Sequence, residues 1–192
     1  MRLPTTETDE TMQTASSDAV LAFWREAGAK RWFSKDDAFD ADISRRFLST
    51  YEAAARGELA AWEETAEGAL ALSIVLDQFP RNMFRNDARA YAADALAHAV
   101  AERALARGFD QGFPAAERTF FYLPFEHSEA LADQERSVAL FKAAGDADLL
   151  KWADLHAEII RRFGRFPHRN ALLGRTSTAE EQAFLADGGF AG

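Results

Sequence analysis

The chain has 192 residues, 48% of them apolar and 28% charged, with a formal net charge of −9. That is an ordinary soluble composition, long enough for one domain with a substantial core, and its acidity argues against sequence-independent nucleic-acid binding. No cysteine is present, which excludes disulfides, thiol catalysis and Cys-ligated zinc, and no apolar run nears the roughly 20 residues of a membrane span.

Residues 1–15 are polar, Thr-rich and acidic without an apolar signal region. They read as a disordered lead-in to one domain over 16–192, and cytoplasmic location is the default expectation. Ser17 is placed to cap a first helix running to Ala27, with Gly28 as its stop. Ser34–Asp37 opens a second that reaches Arg56 before Gly57. After a short turn at Leu59–Trp62, the stretch Ala66–Gln78 is apolar on every face and therefore belongs inside the core.

Asp87 is expected to cap an Ala-rich helix ending at Gly108, and Pro114 to begin one that Pro124 breaks. Ser128–Ala144 and Asp146–Phe163 follow, separated by Gly145, and Thr178-Ala179-Glu180-Glu181 is a capping box for a last helix. Strand signals are missing. The pattern predicts an all-α antiparallel array of about seven helices, closer to stacked helix pairs than to a long four-helix bundle.

Two segments stand out: Asp77-Gln78-Phe79-Pro80-Arg81-Asn82 and Gly164-Arg165-Phe166-Pro167-His168-Arg169-Asn170. Proline lacks an N–H and crowds the carbonyl four residues back, so each helix is expected to stop there and present Arg and Asn from irregular backbone. Between Glu158 and Glu180 no acidic residue occurs, whereas Arg161, Arg162, Arg165, Arg169 and Arg175 do. Such an island suits recognition of a small anion or carboxylate, or pairing with the chain's surplus acids.

Several polar groups interrupt apolar faces. His156 lies within the stripe Leu149, Trp152, Ala153, Ile160 and Phe163; His127 and Gln134 lie in line with Leu131, Val138 and Phe141; Asp77 follows the fully apolar helix. Buried polar groups need partners. The expectation is one partly buried cluster beside the Phe-Pro segments, joining Asp77, Glu126 and Glu129 to Arg81, Arg85, Arg165 and Arg169, with His98 standing apart.

The strings Leu76–Arg85, Tyr122–Glu129 and Phe163–Arg175, with Phe23-Trp24, Trp32-Phe33 and Phe39-Asp40, resemble the domain of unknown function 924 family of bacteria over Ala19 to Phe190. The resemblance implies an all-helical fold similar to tetratricopeptide-repeat proteins and brings no reaction with it. Where the family often has Gly, this chain has Asn86; Asn also tolerates a left-handed backbone.

Three functional readings follow. The first is a binding site for a small anionic ligand or peptide carboxylate, lined by Asp77, Arg81, Asn82, Arg85, Arg165, His168, Arg169 and Asn170. The second is an enzyme acting on a small anionic metabolite, with His127 or His156 moving a proton and Glu126 or Glu129 orienting the imidazole. A metal is a weaker variant: Glu126, His127, Glu129, His156 and Glu158 are suitable ligand types, but no Glu-x-x-His pair occurs, so neither metal nor other cofactor is expected. The third is a structural or homo-oligomeric role carried by Trp24, Trp32 and Trp62.

Overall fold

The computed structural model describes residues 14–190. The expected lead-in at 1–15 lies outside the described residues except for Thr14 and Ala15, whose N–H donates to Thr50 Oγ1 (2.8 Å). Among the described residues all regular structure is helical and no strand occurs. The principal helices are α1 (Ser17–Ala27), α2 (Ala29–Trp32), α3 (Asp37–Ala55), α4 (Ala66–Ser73), α5 (Phe79–Met83), α6 (Asp94–Ala106), α7 (Ala115–Glu126), α8 (Leu131–Ala144), α9 (Ala147–Phe163) and α10 (Ala179–Ala186). No helix among the described residues is long and apolar enough to cross a membrane.

Local chemistry accounts for most of the boundaries. Ser16, one residue earlier than expected, caps α1 by accepting from the Ala19 N–H; Asp36 and Asp146 cap α3 and α9 in the same way. Gly145 and Gly164 bracket α9 in the left-handed conformation, and Asn86 adopts φ 60°, as its side chain permits. Thr178 and Glu181 form the reciprocal capping box of α10. Asp87, in contrast, caps only a 3₁₀ turn, Ala88–Tyr91, and α6 begins after it.

The prolines require a correction. Pro80 does not end the central helix. The chain runs from α4 through a five-residue π turn, Ile74–Gln78, directly into α5, and the Phe79 N–H donates to Ile74 O, five residues back. Pro80 then sits in the first turn of α5, where a missing N–H costs little, after the register has already widened. Pro124 likewise lies inside α7, in its last turn, where only one intrahelical bond is forfeited. The second Phe-Pro segment does follow a helix end, but Gly164 makes the stop.

Every residue from Gly68 to Pro80 is buried, as the all-round apolarity required. Around this rod α1 packs on α4, α3 on α5, α6 on α4 and α7, and α8 on α7 and α9. Phe79 sits at 5.7 Å from the Trp24 ring and 4.9 Å from Phe47, in an aromatic centre that Trp24 extends to Phe39 and Phe120. Trp24 is fully buried, and Trp32 and Trp62 pack partly buried against the same core. Trp152, expected in a core stripe, is instead about half exposed. A second, smaller apolar cluster joins Ile159, Ile160 and Phe166 to Leu155, Phe163, Phe184 and Phe190. The two Phe-Pro phenylalanines thus anchor in different cores.

The entry to α4 is unusually tight. A Cβ on Gly68 would meet Trp62 O at 2.1 Å and Thr65 Oγ1 at 2.9 Å. Gly68→Ala therefore costs about 1–3 kcal/mol despite alanine's better helix propensity, measured as a lower urea midpoint with unchanged slope.

Candidate functional site

A layer of charged groups lies between the two cores. Asp94, in the first turn of α6, receives Arg81 Nη1 (2.9 Å) and Nη2 (3.2 Å). The same Nη1 donates to the Asp77 carbonyl (2.6 Å) and lies 3.3 Å from Asp77 Oδ1. Arg169 comes from the 3₁₀ turn of the second Phe-Pro segment and reaches Asp94 Oδ2 only at 3.4 Å. Its guanidinium is 4.6 Å from the Tyr91 ring centre and 4.5 Å from that of Phe166. The side chain is buried, and its Nε has no hydrogen-bond partner. Burial, and next the Arg81 charge beside it, bring Arg169 down to about 10, which leaves it charged at neutral pH.

Asp77 is 1% exposed and faces His127. A carboxylate only accepts, so His127 Nδ1 carries the proton and donates to Asp77 Oδ1 (2.7 Å), leaving Nε2 as the other ring nitrogen. Gln78 Nε2 donates to Asp77 Oδ2 (2.6 Å). Burial alone would raise the Asp77 pKa; the Arg81 charge and then His127 outweigh it and hold the carboxyl well below its usual range. His127 moves down in turn, through burial and the Arg81 charge. It is a neutral imidazole oriented by a buried carboxylate.

Behind this pair sits a second one. His156 Nδ1 donates to Trp152 O (2.8 Å) and lies 3.3 Å from Glu126 Oε1. Burial, with Asp77 adding to it, pushes Glu126 up to about 8, and burial lowers His156 to about 4. His168 falls to about 3 by burial and the neighbouring Arg169 charge. Gln134 serves the backbone: its Nε2 donates to Glu126 O and Ser128 O, both at 2.6 Å, closing the end of α7.

The remaining predicted ligand-binding residues are already paired, and they lie in other networks. Asn82 Nδ2 donates to Asp40 Oδ1 (2.7 Å), and Arg85 is bidentate to the same carboxylate. Arg165 donates to both oxygens of Glu181 (2.6 and 2.8 Å), and Asn170 Nδ2 reaches Glu181 at 3.3 Å. Glu129 accepts from the Phe166 N–H (2.8 Å) and from Arg175 (2.7 and 3.0 Å), tying α7's exit to the second Phe-Pro segment. The single cluster expected from the sequence is therefore divided, with separate networks around Asp94 and Asp77, Glu126, Glu129, Asp40 and Glu181.

Beside Arg169 and His127 opens a cleft of about 350 Å³. Asp94, Glu129, Ser128, Asp133 and His98 also line it. His98, expected to stand apart, packs edge-on to Phe125 at 4.6 Å with Nε2 3.1 Å from Asp133 Oδ1, out of line for a hydrogen bond. Asp94, Tyr91, Asp133 and Ser128 were not legible as site residues. The only local hint was Asp94 four residues before His98 on one helix face. Among the described residues no three His, Asp or Glu side chains converge as a metal-binding set.

An all-α protein with a charged cleft lined by helix ends and the second Phe-Pro turn is what the fold and geometry define. The chain belongs to the family described as bacterial protein of unknown function, DUF924, whose model matches residues 20–189. A solved structure, a protein of unknown function from Agrobacterium tumefaciens, is similar at 46% identity with a TM-score of 0.87, covering 89% of this chain and 97% of that one. No curated protein matches the chain.

The buried groups set a pH profile. Glu126 holds its proton more tightly folded than unfolded, so its contribution is complete below its ordinary 4.5 and is lost as pH rises through about 8. His127, His156 and His168 act oppositely: their contribution is complete above their ordinary 6.5 and is lost as pH falls, through about 4 for His156 and about 3 for His168. Urea midpoints therefore peak near pH 6.5, and Glu126→Gln flattens the arm above that pH and steepens the arm between 4.5 and 6.5. Asp77→Asn leaves Arg81 without one of its buried counter-charges and costs about 3–5 kcal/mol, read from the same titrations.

Proposed function

We propose that the cleft binds a small anion, a carboxylate or phosphate group of a small molecule or the carboxylate end of a peptide, with Arg169 as its anchor. One observation carries the reading. Arg81, Arg85, Arg165 and Arg175 each commit at least two guanidinium donors to a carboxylate, whereas Arg169 makes a single hydrogen bond at 3.4 Å. It is nonetheless buried, with its guanidinium over two aromatic rings, and on the cleft wall. A desolvated guanidinium with idle donors is a ready partner for an oxyanion, and its rigid placement lowers the entropic cost of binding.

Thermal unfolding of the wild type, Arg169→Ala and Arg169→Lys against phosphate, acetate and peptides with free C-termini tests this. A ligand at a hundred times its dissociation constant adds about 2.7 kcal/mol of stability. The shift is expected in the wild type, weakened in the lysine variant and lost in the alanine variant. Equal shifts in a folded Arg169→Ala protein would sink the proposal.

A second reading rests on the Asp77–His127 pair. An imidazole held by a buried carboxylate, lining the same cleft, is suited to take a proton from a bound anionic substrate. If the site turns over phosphate esters, esters or amides, His127→Gln lowers the rate by about 10²–10⁴-fold while Arg169-dependent binding persists.

A further inference from the structure

The cleft wall carries a second group whose charge the protein leaves without a strong partner, and it is of opposite sign to Arg169. Asp133, in the first turn of α8, accepts from Ser128 Oγ (2.6 Å) and has His98 Nε2 3.1 Å from its other oxygen. Among the described residues no arginine or lysine pairs with it. The other two carboxylates of the wall differ: Asp94 holds Arg81 in a bidentate pair and Glu129 holds Arg175. The Ser128 hydroxyl donates its hydrogen bond to Asp133 and accepts from the Ala130 N–H (3.2 Å), so its oxygen can only accept further. Asp133 and Ser128 together make an accepting surface, while Arg169, which lines the cleft and makes a single 3.4 Å hydrogen bond from Nη1, makes a donating one.

We infer that the ligand of this cleft is a zwitterion, a small molecule carrying a carboxylate or phosphate for Arg169 and a primary ammonium for Asp133 and Ser128. The inference rests on the anion-binding reading and narrows it. A simple anion would bring a second negative charge beside Asp133, and a simple amine a second positive charge beside Arg169. A molecule with both charges meets both groups favourably, and an ammonium's three donors match the carboxylate and hydroxyl oxygens of Asp133 and Ser128. The volume of about 350 Å³ lies within the range of sites for small molecules. Free amino acids and aminoalkyl phosphates are the two classes with this chemistry.

The test is calorimetric titration of the full chain with straight-chain ω-amino acids from glycine to aminohexanoate, with aminoethyl phosphate, and with the matched carboxylates, ethyl phosphate and alkylamines. One member of the amino series is expected to bind at least about tenfold tighter than its counterpart lacking the amine. Asp133→Asn should erase that preference while leaving the amine-free anion bound as well or better, and Arg169→Ala should abolish both. Should Asp133→Asn fail to fold, Ser128→Ala, which removes one acceptor, is expected to reduce the same preference. Equal binding of amino and amine-free anions by the wild type overturns the zwitterion and leaves the anion site standing. No binding of any anion overturns both. The more favourable of the carboxylate and phosphate series identifies which head group Arg169 takes.

Discussion

Asp94 ties the two Phe-Pro segments together. Its carboxylate takes Arg81 from the first Phe-Pro segment and Arg169 from the second, so one side chain joins the element that threads the main core to the turn that caps the smaller one. Two guanidinium groups this close repel each other, and burial sharpens the repulsion. They persist because Asp77 faces Arg81 from the opposite side, and because Tyr91 and Phe166 offer ring faces to Arg169. Removing any one charge strands another in a medium that cannot solvate it.

The two Phe-Pro segments do the same work by different means. In each, phenylalanine is the buried anchor, and the arginine two or three residues later is delivered to the polar layer. In the first, the π turn widens the helix just before proline and brings Asp77 and Gln78 into the interior together. In the second, Gly164 ends α9, and an extended Phe166 lets its N–H be taken by Glu129. The cleft forms where these pieces meet the exit of α7 and the first turns of α6 and α8. Its walls are ends of helices, where unpaired backbone and charged side chains concentrate.

The helical class, the buried central rod, the capping box at Thr178 and the left-handed Asn86 were all readable from the chain. Each depends on interactions within a few residues. Pro80 and Pro124 were misread as breaks because the rule against proline holds for a regular helix interior; a π turn and a final turn each escape it. The sequence suggests one pocket for Arg85, Asn82, Arg165 and Asn170 with Arg169, whereas Asp40 pairs with the first two and Glu181 with the next two. Nothing near these residues in sequence identifies Asp40 as the partner of Arg85, 45 positions away.

Periodicity, caps and composition are local, so the order of the residues alone determined which stretches are helical, which helix is buried all round, and that buried His, Asp and Arg would need one another. Pairing is not local. Arg169 is 75 residues from Asp94, His127 is 50 from Asp77, and His98 meets Asp133 across two helices. Only the packed chain decides which acid neutralises which base. The same competition, settled in three dimensions, leaves Arg169 and Asp133 short of partners on the cleft wall.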